Sequence, residues 1–160
     1  MCDPKICMWS DAVIDSFDVP FHFLSNFDYS PITVQGIQYN SVEHAYQALK
    51  TEDPIIAEEI RKAPTPGKAK RLGQEIELRS DWDNIKVEVM EHLLRAKFST
   101  PWFQEFLRKT KPRELIEGNT WHDNFWGDCR CDQCKNVIGQ NMLGKLLMQI
   151  RSEIPDPIKE

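Results

Sequence analysis

No stretch of this 160-residue chain reaches the roughly 18 consecutive apolar residues that a membrane-spanning helix requires. A basic surplus is also missing: 20 lysines and arginines stand against 25 aspartates and glutamates, for a net charge of −5. That balance argues against a protein that coats nucleic acid by neutralising phosphates, yet it leaves room for a pocket that takes one nucleotide. No P-loop, GxGxxG or GxSxG pattern occurs, so ATP-binding, dinucleotide-fold and serine-hydrolase readings find no support. Internal repeats and low-complexity segments are absent. The opening Met1-Cys2-Asp3-Pro4-Lys5 is not followed by the apolar stretch of a signal peptide. The expectation is a cytoplasmic chain with no membrane partner.

Cysteine is scarce and odd in number: Cys2 and Cys7 near the start, then Cys129, Cys131 and Cys134 bunched late. In a cytoplasmic chain these read as thiols or metal ligands rather than as a disulfide framework. Cys129-x-Cys131-x-x-Cys134 offers three zinc thiolates, but structural zinc takes four ligands and the second CxxC of a zinc ribbon is missing. His122 would complete a Cys₃His set at a spacing that matches no standard finger. The expectation is no metal and no cofactor.

What is present is an ordinary globular composition, 41% hydrophobic and 28% charged, at a length that can bury a core. One domain is expected over residues 1–154, with a frayed tail from Pro155 to Glu160. Ile32-Thr33-Val34, Gln35-Gly36 and Ile37-Gln38-Tyr39 read as a hairpin whose glycine supplies positive φ. Asn40 is placed to cap a helix reaching Lys50. Asp53-Pro54 and Thr65-Pro66 each pair an N-cap with proline at the first helical position, the second helix stopping near Gly73. Asp81 opens the longest helix, with Trp82, Ile85, Val89, Leu93 and Ala96 at helical spacing. Thr100-Pro101 starts a short helix through Phe103 and Phe106. Leu143, Leu146, Leu147 and Ile150 mark a last helix that ends before Pro155. The fold class predicted is mainly α with a small β component.

Chemistry-bearing residues gather in three places. On the Asn40–Lys50 helix, Val42, Tyr46 and Leu49 form an apolar stripe, while Glu43, Gln47 and Lys50, spaced i, i+4, i+7, share a second face. A carboxylate, an amide and an amine on one face can wall a polar pocket; Asn40-x-x-Glu43 also reads as a capping box, and Lys50 in the last turn suits the helix dipole. Lys97 borders the apolar stripe of the long helix. Reduced hydration there would lower its pKa and make it a nucleophile, unless it snorkels to water. The segment from Asn119 to Asp128 combines Trp121 and Trp126, rings able to stack on a base, with carboxylates able to handle protons. The bland alternatives are core packing for the tryptophans and a turn or cap for Asp128.

Phe23-Leu24-Ser25-Asn26-Phe27, Gly36 and Ser41-Val42-Glu43-His44-Ala45-Tyr46-Gln47-Ala48-Leu49-Lys50 together resemble the opening signature of the NADAR, or YbiA-like, family. Ala69-Lys70-Arg71-Leu72-Gly73, Leu94-Arg95-Ala96-Lys97-Phe98, Trp126-Gly127-Asp128 and Asn141-Met142-Leu143-Gly144-Lys145-Leu146-Leu147-Met148 resemble its later blocks, in order. The resemblance runs from about residue 23 to 151. It implies a YbiA-like fold and hydrolysis of N-glycosidic bonds without a metal. The substrates it implies are phosphorylated ribosylaminopyrimidines of riboflavin synthesis or ADP-ribose attached to guanine in nucleic acid. It further implies a lysine that attacks the anomeric carbon and forms a Schiff base with the opened ribose. That role falls to Lys50 or Lys97, with Lys50 favoured because it shares a face with Glu43 and Gln47. Glu43 and Asp128 become the acid/base candidates, Trp126 the stacking platform, and Arg71 and Arg95 the phosphate contacts. Asn26, Phe27, His44, Gln47 and Asn141 are the remaining substrate-binding candidates. Gln74 and Gln140 stand where the family commonly has cations. A charge-assisted hydrogen bond to phosphate is worth roughly 1.5–3 kcal/mol, so these two positions bear on affinity or substrate choice.

These residue types suit the reaction. Breaking a ribose–nitrogen bond builds positive charge at the anomeric carbon and negative charge on the leaving nitrogen, which a carboxylate and a proton donor relieve. An amine nucleophile splits one hard step into two. The competing readings are a non-catalytic ADP-ribose or nucleotide-binding module on the same fold, and a zinc-stabilised nucleic-acid binder. Retention of Glu43, Lys50, Lys97 and Asp128 disfavours the first; the acidic balance disfavours the second.

Overall fold

A computed structural model describes residues 12–158, so Cys2 and Cys7 lie outside the described residues. In chain order the elements are β1 (Val13–Ile14), β2 (Ile32–Val34), β3 (Ile37–Tyr39), α1 (Val42–Ala48), α2 (Pro54–Arg61), α3 (Pro66–Glu75), α4 (Trp82–Lys97), α5 (Pro101–Lys109), β4 (Glu114–Leu115), β5 (Gly118–Asn119), β6 (Asp128–Cys129) and α6 (Met142–Glu153). The fold is mainly α with a small β component. Contacts gather the chain into two compact units: a central unit of residues 25–103, and a terminal unit of residues 12–24 together with 104–158.

In the central unit, β2 and β3 pair antiparallel with Ile32 opposite Tyr39 and Val34 opposite Ile37. The turn between them needs two left-handed residues, Gln35 at φ 50° as well as Gly36 at φ 79°. Two positive φ values in a row match the right-handed twist of the hairpin. Ser41, not Asn40, caps α1: its Oγ accepts the His44 amide at 3.2 Å. The capping-box reading of Asn40 and Glu43 therefore fails, because Glu43 sits at the second helical position. The helix also ends at Ala48, so Lys50 follows it rather than closing its last turn. All seven α1 residues are buried, and α2, α3 and α4 pack around it. The polar face expected on this helix is thus as buried as the apolar one.

The Asp-Pro and Thr-Pro signals start α2 and α3 as predicted. Asp53 Oδ1 accepts the Ile55 amide at 2.9 Å, and Thr65 Oγ1 accepts the Lys68 amide at 3.1 Å. α3 does not stop near Gly73 but continues to Glu75. That glycine makes room instead: a Cβ there would overlap the Gln47 carboxamide. Asp81 precedes α4 without a capping bond, because Arg79 takes its carboxylate through Nε at 2.6 Å and Nη2 at 3.0 Å. The buried stripe of α4 is Trp82, Met90, Leu93, Leu94 and Lys97, whereas Ile85, Val89 and Ala96 are half-buried. The phase is rotated from the predicted one, and the rotation carries Lys97 from the border into the core.

The terminal unit holds two short parallel pairs, β1 with β4 and β5 with β6, and α6 packs against β4. Asn141 precedes α6 at φ 49° without capping it. Its side chain is engaged elsewhere: Oδ1 accepts the Glu117 amide at 3.0 Å and Nδ2 donates to Leu115 O at 2.9 Å. α6 ends at Glu153, before Pro155, as the sequence indicates. Among the described residues no helix is long and apolar enough to cross a membrane.

Candidate active site

The central unit carries a buried polar cluster on α1. Glu43 is 6% exposed and Gln47 3% exposed. Gln47 Nε2 donates to Glu43 Oε1 at 2.6 Å, the bond that the i, i+4 spacing allows. Asn26 joins them through its backbone, its carbonyl accepting the Glu43 amide at 3.1 Å. Its side chain is itself buried, with Nδ2 3.5 Å from Met90 Sδ. Two buried acceptors in this cluster, Asn26 Oδ1 and Gln47 Oε1, have no hydrogen-bond partner among the described residues. Leaving such a group unpaired costs about 1–3 kcal/mol. A cluster that served only to stabilise α1 would gain by losing them.

Lys50 is half-buried, with Nζ 5.3 Å from the centre of the Tyr46 ring, which leans on Trp82 at 5.1 Å. Burial holds its amine below the ordinary lysine value; Glu43 opposes that shift, and the cations of Lys70 and Lys86 add to it. Lys97 is only 1% exposed, and burial brings its pKa down to about 7 against the opposing pull of Asp28. Its Nζ donates to Ser25 O at 2.9 Å and lies 5.2 Å from the Phe103 ring and 5.4 Å from that of Phe98. Lys97 therefore meets the electrostatic requirement for a nucleophile but is sealed. It braces the turn that carries Asn26 and Phe27. Lys50 combines a lowered pKa with access, and a nucleophile needs both.

The other central-unit candidates separate by helix phase. His44 is buried, with Nδ1 2.8 Å from Ser41 Oγ and Nε2 3.0 Å from Ala63 O. Both ring nitrogens are engaged within the protein, which makes His44 a strut between α1 and the end of α2 rather than the substrate contact expected. Arg71 lies about 200° around α3 from buried Ala69, is exposed, and pairs with Glu75 at 3.6 Å. Lys70, its neighbour, instead reaches the Phe27 ring at 5.9 Å, and Phe27 is 37% exposed. Sequence reading missed Lys70. Its i, i+3 relation to buried Gly73 was the available signal. Arg95 is half-buried and holds Glu91 at 2.9 Å.

In the terminal unit, the segment from Asn119 to Asp128 is built on side-chain bonds to its own backbone. Asn119 Oδ1 accepts the Trp121 and Asp123 amides at 3.3 and 3.2 Å, and Asp123 Oδ1 accepts those of Phe125 and Trp126 at 3.1 and 2.8 Å. Asp128 Oδ1 accepts the Gly139 amide at 2.8 Å, a turn role. Trp126 is half-buried, edge-on to Phe125 at 4.9 Å, whereas Trp121 is 57% exposed. Asn141 has both carboxamide atoms engaged, as described above.

Known proteins share this sequence pattern and this fold. The NADAR domain family model matches residues 14–155. N-glycosidase YbiA of Escherichia coli strain K12 is 38% identical over 149 residues, covering 90% of this chain and 89% of that one. A riboflavin biosynthesis protein of Vibrio vulnificus is 38% identical over 138 residues, 84% of this chain but only 36% of its own length. The solution structure of E. coli YbiA superposes with a TM-score of 0.75 at 36% identity, covering 90% of this chain and 85% of that chain.

Proposed function

Because this chain belongs to the NADAR domain family, we propose that it is an N-glycosidase that cleaves the bond between a ribose anomeric carbon and a base nitrogen, with Lys50 as nucleophile and Glu43 as acid/base. The observation that carries this reading is the pairing of an accessible lysine, its pKa lowered by burial, with a buried carboxyl group one helix turn away from Gln47.

The neutral Lys50 amine attacks the anomeric carbon, and the carbon–nitrogen bond to the base breaks. Glu43 delivers a proton to the leaving nitrogen and takes one back from the newly attached amine. The ribose ring then opens, its oxygen taking that proton from Glu43, to leave a Schiff base that water hydrolyses to free the lysine. Gln47 holds Glu43 in place by its 2.6 Å bond. The unpartnered oxygens of Gln47 and Asn26 suit hydroxyl donors of a sugar. Phe27 offers a ring face to a base, with the Lys70 cation beside it for a phosphate. In this reading Asp128 braces its loop through Gly139, and Lys97 positions the Asn26–Phe27 turn.

The substrate class is a phosphorylated ribosylated base. The two forms to test are ADP-ribosylated guanosine and a ribosylaminopyrimidine phosphate. Incubation with each, followed by mass spectrometry, should show free base from at least one. Binding of both without release of base from either would make the protein a non-catalytic reader.

A further inference from the structure

Outside the α1 cluster, one group of side chains is left without a part in the chemistry. His122, Cys129, Cys131 and Cys134 each present one ligand atom, and the four atoms lie within 4.8 Å of one another. We infer that these four residues form a closed, four-ligand zinc site that clips the loop between β5 and β6 in the terminal unit. The sequence argued against metal because this spacing matches no standard finger, but the fold supplies the fourth ligand. His122 follows β5 and Cys129 ends β6, and the parallel pairing sets Asn119 opposite Cys129. The pairing thus brings the histidine back to the thiols.

The nitrogen–sulfur distances fit a single tetrahedral ion. With Zn–S at about 2.3 Å and Zn–N at about 2.0–2.1 Å, the S···N edge of a tetrahedron is about 3.5 Å. His122 Nδ1 stands 3.3 Å from Cys131 Sγ and 3.5 Å from Cys134 Sγ. Ligand atoms this close leave space for one ion and none for a bridged two-iron cluster. Three thiolates and an imidazole form a donor set that selects zinc among common divalent ions.

A neighbouring side chain also holds two of the four residues in place. Asn124 Nδ2 donates to Cys134 Sγ at 3.4 Å, while Asn124 Oδ1 holds the Cys129 amide at 2.9 Å. Such outer contacts orient ligands and are a regular part of metal sites. His122 adopts φ 66°, a left-handed conformation that costs a non-glycine residue energy and that the metal bond would offset. On binding, each thiol releases its proton to solvent, and no coordination position remains open, so the ion acts on structure and not on substrate. The site is independent of the glycosidase reading.

The test uses the full chain with Cys2→Ser and Cys7→Ser, so that only the three cluster thiols remain. Purified without chelator, it should hold one zinc per chain by mass spectrometry of the metal. Cobalt in place of zinc should give the intense visible bands of tetrahedral coordination and a thiolate-to-cobalt charge-transfer band. Zinc removal should lower the melting temperature by about 10 °C or more. His122→Ala and Cys131→Ser should each weaken zinc binding at least about 100-fold. Should a variant fail to fold, the cobalt spectrum of the parent still decides. Substoichiometric zinc with a pale octahedral cobalt spectrum, or a disulfide found within the cluster, would overturn the assignment.

Discussion

Gln47 and Asn141 are both buried, 3% and 8% exposed, and their carboxamides serve opposite ends. In the terminal unit, both ends of Asn141 bond backbone groups, as do Asn119 and Asp123 nearby. In the central unit, Gln47 bonds Glu43 with one end and keeps its oxygen unpaired, and Asn26 likewise keeps its own oxygen unpaired. Polar groups that complete a loop leave nothing over for a ligand. Polar groups held buried and incomplete cost stability, a cost that a substrate would offset on the proposed reading. Lysines repeat the contrast inside the central unit: Lys97 is sealed and Lys50 is reachable, although burial lowers the pKa of both.

The sharpest way to break this comparison is Glu43→Gln. The amide keeps an acceptor for Gln47 Nε2, so the fold should survive while turnover falls by about 10²-fold or more. Full activity with a lowered melting temperature would return Glu43 to a structural part. Asn141→Ala should do the reverse. It leaves the Glu117 amide and Leu115 carbonyl without their partners at a left-handed position, for a destabilisation of about 2–3 kcal/mol. The melting temperature should drop by about 5–10 °C, with kcat in the surviving protein changed less than about threefold.

A smaller effect separates the lysines. With its pKa at about 7 in the folded protein and about 10.4 in the unfolded chain, Lys97 binds its proton more readily when unfolded. Between those values the unfolded chain carries the extra proton, so this residue adds to stability as pH rises and its penalty is fully present below about pH 7. Urea unfolding at about pH 7 and pH 9 should show wild type gaining stability relative to Lys97→Met at the higher pH. An unchanged difference would mean that Lys97 is not buried as described. The smallest effect belongs to Asp128→Asn, which keeps an acceptor for the Gly139 amide and should retain turnover within about tenfold. A drop as large as that of Glu43→Gln would make Asp128 a proton-transfer group.

Much of this was legible in the chain. The hairpin, the Asp-Pro and Thr-Pro caps and the grouping of Glu43 with Gln47 all follow from local spacing and backbone chemistry. What escaped depends on partners distant in sequence. Lys97 reads as a border residue until the buried stripe of α4 is seen to run through Met90, Leu93 and Leu94. His44 reads as a substrate ligand until Ala63 takes its Nε2, and Arg71 reads as a phosphate ligand until Ala69 and Gly73 set the phase of α3. Strands of two residues, such as β5 and β6, are too short for any period to show, so the pairing that brings His122, already named beside the cysteines, up to them stayed hidden.

The central claim is that Lys50 is the nucleophile, and borohydride trapping tests it most directly. Reduction during turnover should fix the opened ribose on one tryptic peptide, the one containing Lys50, and Lys50→Arg should bind substrate without cleaving it or forming an adduct. An adduct on Lys97 would contradict the assignment. No adduct on any lysine, together with an active Lys50→Arg protein, would contradict covalent catalysis altogether.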